Sequence, residues 1–390
     1  MTERKKTIAP SELLFALLRS EICGTDEKLP QSISESTLNE LYDVAKSQAV
    51  VHIVSNALHK REILGANAVS EKFLRAQMLA VYRCEQHKHA LGEISAILED
   101  NQIPYIPLKG SVLRDYYAED WMRISCDIDI LIHEEDLSRA IDALVSKAGY
   151  KTDNKLQYHD VSLYSPSGIH LELHFHIKEG MSNIDGLLTT VWEHSVRDCA
   201  ETFCYHQTNA FFVFHHIAHM AYHFIHGGCG IKPFIDLYII NQKMDYDEKA
   251  VRAFCRQCGL EDFYCHVLYL TEVWFGNKLH TALSRQMAEY ILNGGVYGTR
   301  ENKELINRSK RKNKLKYAVS RIWMPYDILK TTYPIIVKHK WLFPFMQVRR
   351  WIAFVFGGKR KQSEQAVKDD CGVSKEQVSA MTEFLNEIGL

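Results

Sequence analysis

The feature that most constrains this chain is the stretch CDIDILI at residues 126–132, in which two aspartates alternate with isoleucines. Successive side chains of a strand point to opposite faces, so Asp127 and Asp129 share one face while Ile128 and Ile130 point into the core. Two carboxylates that close repel each other unless a cation lies between them, and Mg²⁺ prefers such hard oxygen ligands. We therefore interpret the pair as half of a divalent-metal site. An exposed sheet edge is the alternative.

The residues on either side of this strand strengthen the metal interpretation. Gly110 and Ser111 follow a short β-like run, IPYIPL, and precede a predicted helix, so backbone N–H groups and the serine hydroxyl can hold phosphate oxygens there. Lys109 adds a nearby cation. Further along, the strand pattern LELHF places Glu172 between two leucines. Three acids on neighbouring strands can hold two metal ions in line with a triphosphate.

Hydrophobic periodicity divides the chain into four regions. Apolar residues at three- and four-residue spacing predict three or four amphipathic helices in region 1–100. Region 101–180 alternates strand and helix patterns and ends in a hairpin around the turn PSG, which predicts a small mixed sheet. Region 181–300 is helical again and is expected to pack on that sheet. Region 301–390 is predicted to be a basic, aromatic-rich helical C-terminal region.

Bulk composition describes an ordinary globular protein. Apolar residues make up 46% and charged residues 24% of 390 residues, enough for two or three units with sizeable cores. The ten cysteines form no disulfide framework, and a single Cys-x-x-Cys at 255 and 258 lacks the second pair of a zinc ribbon. The N-terminus lacks a secretory signal, and no apolar run reaches the ~20 residues of a membrane span. These features predict a cytoplasmic protein without a transmembrane segment.

Four histidines recur on one predicted helix within region 181–300. His215, His219, His223 and His226 are spaced by four, four and three residues, so they lie roughly on one face. Zinc binding, a face directed at a phosphate cleft, and structural packing are the three interpretations. Asp236, which follows the turn GGCGIKP, could approach the same cleft or have a structural role.

The chain carries a strongly basic segment although its overall net charge is -1. The stretch from Lys303 to Lys361 contains ten lysines and six arginines but only one aspartate and one glutamate. Trp323, Trp341 and Trp351 lie among these cations in the sequence. This mixture could bind a nucleic acid by backbone contacts and base stacking, or lie on the anionic inner face of a membrane. Two prolines break the segment into short amphipathic pieces, which fits a membrane surface better. Buried aromatics with a solvated basic face are the third interpretation.

The order of these motifs resembles the nucleotidyltransferase superfamily typified by DNA polymerase β. That superfamily has a Gly-Ser turn, an acid-hydrophobic-acid strand and a third acid on an adjacent strand. More narrowly, LKGSVLRDYY, WMRISCDIDILI and HLELHFHI look like a bacterial family called uncharacterised nucleotidyltransferases, as do the later HHIAHMAYHFIHG and KPFIDLYII. The resemblance implies an α+β fold, in which a small mixed-sheet nucleotidyltransferase core at 101–180 is embedded in mostly helical N- and C-terminal regions.

The resemblance also implies roles for individual residues. Gly110 and Ser111 would hold the phosphates of the nucleotide, and Asp127, Asp129 and Glu172 would bind metal, with Glu172 also helping to activate the attacking hydroxyl. Lys109 stands where many superfamily members have an apolar residue, and we assign it, with Arg123, to nucleotide binding. Arg123 could instead form a salt bridge with Asp120 or Glu119.

The implied activity is Mg²⁺- or Mn²⁺-dependent transfer of a nucleoside monophosphate from an NTP such as ATP to an acceptor hydroxyl, with release of pyrophosphate. The acceptor could belong to a small molecule, a protein or an RNA. The alternative is a protein without turnover that retains the fold as a nucleotide-binding module or as a scaffold at a membrane surface.

Overall fold

The computed structural model describes residues 9–30, 32–156, 159–296, 298–309, 326, 329, 333, 335–356 and 374–390. The chain divides into two compact units. The first is formed mainly by residues up to Thr299, and the second mainly by Arg300–Glu387. None of the described helices combines the length and apolar character needed to cross a membrane.

The first unit begins with four helices, which agrees with the three or four predicted. Their bounds are α1 Pro10–Ile22, α2 Glu35–Ser47, α3 Val51–Lys60 and α4 Ala68–Asp100. Side-chain caps fix two of the starts, because Ser34 accepts a hydrogen bond from the backbone N–H of Thr37 and Asn67 accepts one from that of Ser70.

A five-stranded mixed sheet follows, which confirms the predicted fold class. Its strands are β1 Tyr105–Pro107, β2 Asp127–Ile132, β3 Lys151–Leu156, β4 Asp160–Tyr164 and β5 His170–His174, in the order β1-β2-β5-β4-β3. Strands β2 and β5 are parallel, whereas β1 pairs with β2, and β4 with β5, in antiparallel fashion. Strand β3, KTDNKL, was not predicted, because its polar sequence lacks the apolar alternation that marks the other strands.

Helices cover one face of this sheet and leave its other face for the site. Helix α6, Leu137–Ala148, and the C-terminal half of α4 pack in one apolar cluster with alternate residues of β2 and β5. Ile128, Ile130, Leu171 and Leu173 are fully buried in this cluster. Because the strand period is two, the residues between them project from the opposite face.

The chain between β1 and β2 contains little regular helix. A helix was expected after the Gly-Ser pair, but α5 covers only Gly110–Leu113 and continues as a 3-10 turn, Arg114–Tyr116. A second 3-10 turn, Asp120–Met122, leads towards β2.

The rest of the first unit is mostly helical, as predicted for region 181–300. It contains helix α7 Ser182–Leu188, a hairpin of β6 Ser195–Arg197 and β7 Tyr205–Gln207, and helices α8 Asn209–Phe224, α9 Lys232–Lys243, α10 Glu248–Gln257, α11 Glu261–Phe275 and α12 Ala282–Gly294. Helix α8 is apolar on most of its circumference and is therefore largely buried, so its few polar residues are conspicuous.

The second unit contains helices α13 Arg300–Ser309, α14 Ile335–Lys338, α15 Phe343–Phe356 and α16 Lys375–Glu387, with a 3-10 turn at Lys340–Leu342. Much of the basic segment, including Trp323 and the cations at 310–316 and 359–361, lies outside the described residues. Within the described part, Trp341 and Phe345 have exposed fractions of 67% and 60%. These two aromatic side chains are therefore not core residues.

Candidate active site

The structure brings the three predicted acids together. Asp127 and Asp129 lie on β2, and the parallel register with β5 places Glu172 directly beside Asp129. Possible metal-ligand atoms of Asp129, Glu172 and His174 lie within 4.8 Å of one another. The same holds for Asp127, Glu172 and His170. Glu172 belongs to both groups, so two adjacent positions for a cation share one carboxylate.

His174 links two of the acids. Its Nε2 lies 2.9 Å from Asp129 Oδ1 and 3.5 Å from Glu172 Oε2. Burial alone would lower the pKa of His174, but the hydrogen bonds to these carboxylates outweigh it and raise the pKa to about 9. A charged imidazole therefore holds Asp129 and Glu172 together. Sequence reasoning missed His174, although its position two residues after Glu172 on a strand places both side chains on one face.

Lys109 reaches the same acids from a strained turn. The backbone N–H of Leu108 donates to the carbonyl oxygen of Asp129, which aligns the turn with β2. Lys109 then adopts φ 45° and ψ -112°, a conformation that favours glycine. Its Nζ lies 3.5 Å from Asp129 Oδ1. Burial opposes ionisation of both groups, yet their mutual attraction raises the pKa of Lys109 and contributes to lowering that of Asp129.

Asp127 has no such partner. Among the described residues, no basic side chain forms an ion pair with it. Burial, followed by the charges of Asp129 and Glu172, raises the pKa of Asp127. The site thus combines hard carboxylate oxygens with an excess of negative charge at Asp127, which is the donor set that suits Mg²⁺ or Mn²⁺.

Gly110 and Ser111 differ in their access to the site. Gly110 lines the cleft beside the acids, and a Cβ atom there would lie only 3.2 Å from the Cβ of Ser125. Ser111 is buried and is not among the residues that line the cleft. Its backbone N–H donates to the carbonyl oxygen of Leu108 and closes the turn. The assignment of this pair to phosphate binding stays a prediction.

The acids open into a cleft of about 460 Å³ whose other wall is helical. One wall carries the acids with Lys109 and Gly110, and helices α8 and α9 with the chain between them form much of the other. The helical wall contributes the polar residues His215, His216, His219, Tyr222, His223, Lys232 and Asp236. Of these, sequence reasoning had placed His219, His223 and Asp236 at a possible cleft, which is where the structure places them.

Arg123 and Asp236 form a buried network that joins the two walls. Arg123 Nε donates to Asp236 Oδ1 at 2.6 Å, and the hydroxyl of Tyr117 donates to the same oxygen at 2.6 Å. Asp120 pairs with Lys88 instead of Arg123. Arg123 therefore forms an ion pair, as the alternative interpretation expected, but its partner is distant in the sequence. Its assignment to nucleotide binding is a prediction, although it lines the cleft.

The four α8-associated histidines separate into three environments. His215 is buried and within hydrogen-bond distance of Gln207, at 3.2 Å, whereas His226 is exposed and donates to the backbone of Tyr222. His219 and His223 both line the cleft and, alone among these four histidines, are within hydrogen-bond distance of each other. In the part of the chain that the structure describes, none of the candidate metal clusters contains an α8 histidine.

Two further residues were not predicted from the sequence, one in the lining of the cleft and one buried next to a cleft histidine. Lys232, the first residue of α9, directs Nζ towards the carbonyl oxygen of Ile124 at 3.4 Å. Burial, together with the nearby Arg123, lowers the pKa of Lys232 to about 8. Glu179, in the segment between β5 and α7, is buried and contacts His219. An isolated glutamate in a loop carries no sequence signal for such a position.

Comparison with known protein families gives a match over residues 34–276, to a family described as uncharacterised nucleotidyltransferase. The matched span covers more than half of the chain and contains the acids, the Lys109 turn and helices α8 and α9. A search of curated proteins gave no match.

Proposed function

Because the chain belongs to the family described as uncharacterised nucleotidyltransferase, we propose that it transfers a nucleoside monophosphate from an NTP to an acceptor hydroxyl. In this reaction the hydroxyl oxygen forms a bond to the α-phosphorus, and the bond from that phosphorus to the bridging oxygen breaks to release pyrophosphate. The observation that carries the proposal is that Asp127, Asp129 and Glu172, from adjacent parallel strands, line one cleft together.

The three carboxylates would hold Mg²⁺ or Mn²⁺. Divalent cations bound there would supply positive charge to the triphosphate and to the attacking oxygen. Lys109 keeps Asp129 charged and in place, and His174 orients Asp129 and Glu172 through their hydrogen bonds. This arrangement fixes the carboxylates before a nucleotide arrives, which is the preorganisation that electrostatic catalysis requires.

Further residues of the cleft are assigned to the triphosphate. Lys109 and Gly110 line the cleft at the turn beside the acids, and Lys232 brings a second ammonium group to the helical wall. Ser111, which follows Gly110, is buried outside the lining of the cleft and is assigned to the phosphates through its place in the same turn. Arg123 lines the same cleft, with its Nε engaged by Asp236. Cations on both walls support an anionic ligand between them.

The test is nucleotide binding and label transfer with the double substitution Asp127→Asn and Asp129→Asn. The wild type, incubated with each α-labelled NTP and Mg²⁺ or Mn²⁺, is expected to bind nucleotide only with metal and to transfer label. The double variant should lose at least about 100-fold of the transfer rate, because electrostatic stabilisation of the reacting phosphate is removed. Asp142→Asn, on the exposed side of α6, is the matched control.

Three outcomes are informative. Metal-dependent binding without label transfer for any NTP and any tested hydroxyl would favour the nucleotide-binding module without turnover. Transfer that survives in the double variant would exclude these aspartates from the reaction. A wild type that binds no NTP in the presence of metal would overturn the proposed function.

A further inference from the structure

A chain of three side chains crosses the helical wall of the cleft opposite the acids. His219 Nδ1 lies 2.8 Å from Glu179 Oε1, and His219 Nε2 lies 3.0 Å from His223 Nε2. The two imidazole rings are nearly perpendicular, with centroids 4.4 Å apart. Glu179 is buried at the inner end, and His223 lines the cleft at the outer end. These residues therefore connect the cleft to a buried carboxylate.

The hydrogen bonds restrict where the protons lie. The carboxylate of Glu179 can only accept, so His219 Nδ1 carries a proton and donates it. When the ring of His219 is neutral, its Nε2 is an acceptor, and the proton in the second hydrogen bond belongs to His223 Nε2. His223 Nδ1 then has a free lone pair. Among the described residues, no group forms a hydrogen bond with this nitrogen.

With metal bound, the acid side of the cleft does not offer an equally free proton acceptor, because even Asp127, which has no basic ion-pair partner in the described part of the chain, is then a metal ligand. Asp129 and Glu172 are both held by His174, and Lys109 contacts Asp129. All three carboxylates are, in the proposed function, also occupied by metal. The opposite wall carries the only histidine pair of the described cleft whose inner ring is held by a buried carboxylate.

We propose that His223 accepts the proton of the acceptor hydroxyl, with His219 and Glu179 as positioning residues that pass the charge inward. The inference rests on the proposed function and deepens it, since it requires the acceptor to enter along the α8 wall. As the oxygen bonds to the α-phosphorus, its proton moves to His223 Nδ1. The proton on His223 Nε2 moves to His219 Nε2, and pyrophosphate leaves with the electron pair of the broken P–O bond.

The buried carboxylate of Glu179 stabilises the state that this proton transfer produces. In that state His219 is an imidazolium ion paired with Glu179, and His223 is neutral with its proton on Nδ1. Burial alone would raise the pKa of Glu179, but the charge and hydrogen bond of His219 hold it at about 2. Burial, together with His219, lowers the pKa of His223 to about 3, so that the positive charge resides on the inner ring.

The first test needs no acceptor. Histidine-selective ¹⁵N NMR of the full-length protein at pH 8, assigned with His219→Gln and His223→Gln, reports which ring nitrogens carry protons. The expected result for His223 is a neutral ring with Nε2 protonated and Nδ1 free. A proton on His223 Nδ1 at this pH would overturn the relay, because that nitrogen could not then accept another.

The second test measures transfer to glycerol and to water as hydroxyl probes, using labelled NTP and Mn²⁺. His223→Gln should lower kcat about 100-fold, within the range of general-base effects, and leave the Kd of a non-hydrolysable NTP within twofold. Glu179→Gln retains an acceptor for His219 Nδ1 but removes the charge, so a smaller loss, about tenfold, is expected. Exposed His226→Gln is the matched control and should match the wild type.

The pH profile separates proton transfer from packing. The ionisable groups near His223 include His219, Glu179, Lys109 and His226, and the ring of Tyr222 lies with its centroid 5.4 Å from that of His223. Lys232, with a pKa of about 8, loses its charge in this pH range in the wild type and in the variant alike, so the two rates are compared as a ratio. Between pH 7 and 9 the ratio of the wild-type rate to the His223→Gln rate should fall about tenfold per pH unit, as hydroxide replaces the lost base in the variant. Imidazole should restore part of the rate to His223→Ala.

The outcomes distinguish the two proposals. If the wild type is active and His223→Gln has the same kcat and a parallel pH profile, the relay is overturned and the proposed function stays intact. Loss of NTP binding in His223→Gln would assign this ring to the phosphates and also overturn the relay. Absence of metal-dependent NTP binding in the wild type would instead remove the proposed function on which the relay rests.

Discussion

Lys109 has an unfavourable backbone conformation, but its charged side chain makes a favourable interaction with Asp129. A non-glycine residue at φ 45° in this turn costs about 1–3 kcal/mol. The surrounding structure holds it there because Leu108 pairs with β2 and the ammonium group reaches the buried Asp129. The sequence had marked Lys109 as a departure from the superfamily pattern, and the structure gives that departure an electrostatic reason.

Substitutions at Lys109 separate strain from charge. Lys109→Met removes the cation and keeps the strain. The metal-free protein should lose about 3 kcal/mol of unfolding free energy, because the buried Asp129 then keeps only His174 as a cationic partner. Lys109→Gly also removes the cation but relieves the strain, and should be about 1 kcal/mol more stable than Lys109→Met. Chemical denaturation in EDTA measures both. Exposed Lys151→Met is the control.

Two results would contradict this account. Equal stabilities of the methionine and glycine variants would show that the turn is not strained. Wild-type stability for both would show that Asp129 needs no cation from the protein other than His174. Added Mg²⁺ should reduce the difference in unfolding free energy between the Lys109 variants and the wild type, because a bound cation replaces part of the lost charge.

At the scale of elements, the cleft depends on contacts between segments that are far apart in the chain. The 3-10 turn before β2 and helix α9 are joined by the buried ion pair of Arg123 and Asp236, with Tyr117 on the same oxygen. Both charged side chains are at least nine-tenths buried. The network fixes the distance between the acid-bearing wall and the helical wall.

A double-mutant cycle tests this network. Arg123→Met leaves Asp236 as a buried, unpaired charge and should cost about 3–5 kcal/mol of unfolding free energy. Adding Asp236→Asn removes that charge, so the double variant should be more stable than Arg123→Met alone. The control Lys147→Met removes an ion pair of two exposed side chains, Lys147 and Asp100, and should cost less than about 1 kcal/mol. Additive losses in urea denaturation would exclude the coupling.

The second unit supports one of the three interpretations of the basic segment. Trp341 and Phe345 are exposed one helical turn apart, and Lys340 and Arg349 lie nearby in the sequence. Exposed aromatics with adjacent cations suit an anionic membrane surface, where the rings enter the headgroup region.

Vesicle binding tests this interpretation. We expect the full-length protein to co-sediment with phosphatidylserine vesicles, and the double substitution Trp341→Ser and Phe345→Ser to weaken binding at least about tenfold, because apolar burial is lost. Leu279→Ser, which removes an exposed apolar side chain of the first unit, is the control. Co-sedimentation with RNA instead of vesicles would favour the nucleic-acid interpretation, and retention on neither would favour a solvated basic face.

At the scale of the whole molecule, buried histidines link stability to pH. His52 on α3 is 3% exposed, and its Nε2–H donates to the carbonyl oxygen of Met122. Burial lowers the pKa of His52 from 6.5 to about 4, and that of His87 also falls to about 4. The unfolded chain therefore binds protons more readily between these pH values. Stability must fall as the pH drops from about 6.5 towards 4.

Part of the expected slope of stability against pH can be assigned to His52. At pH 5, His52 should contribute a loss of about 2 kcal/mol relative to pH 8, from its lowered pKa. His52→Gln should remove that part of the pH dependence, whereas His59→Gln, at an exposed position of the same helix, should not. Urea denaturation at pH 5, 6, 7 and 8 measures the slopes. A slope unchanged by His52→Gln would contradict the assignment.

The sequence by itself determined the local features of this protein. Alternation of aspartate and isoleucine fixed a strand with two carboxylates on one face, and the leucines around Glu172 marked a second strand of the same kind. Three- and four-residue spacing indicated the helices. These signals are local, because side-chain direction follows directly from the strand and helix periods.

Only the tertiary structure decided how those features combine. The parallel register set Glu172 beside Asp129 and gave both acids His174 as a common partner. Folding also brought Glu179 to His219 across forty residues and Arg123 to Asp236 across more than one hundred. Such pairs carry no local period. They exist because burial in a shared core makes an unpaired charge too costly to remain alone.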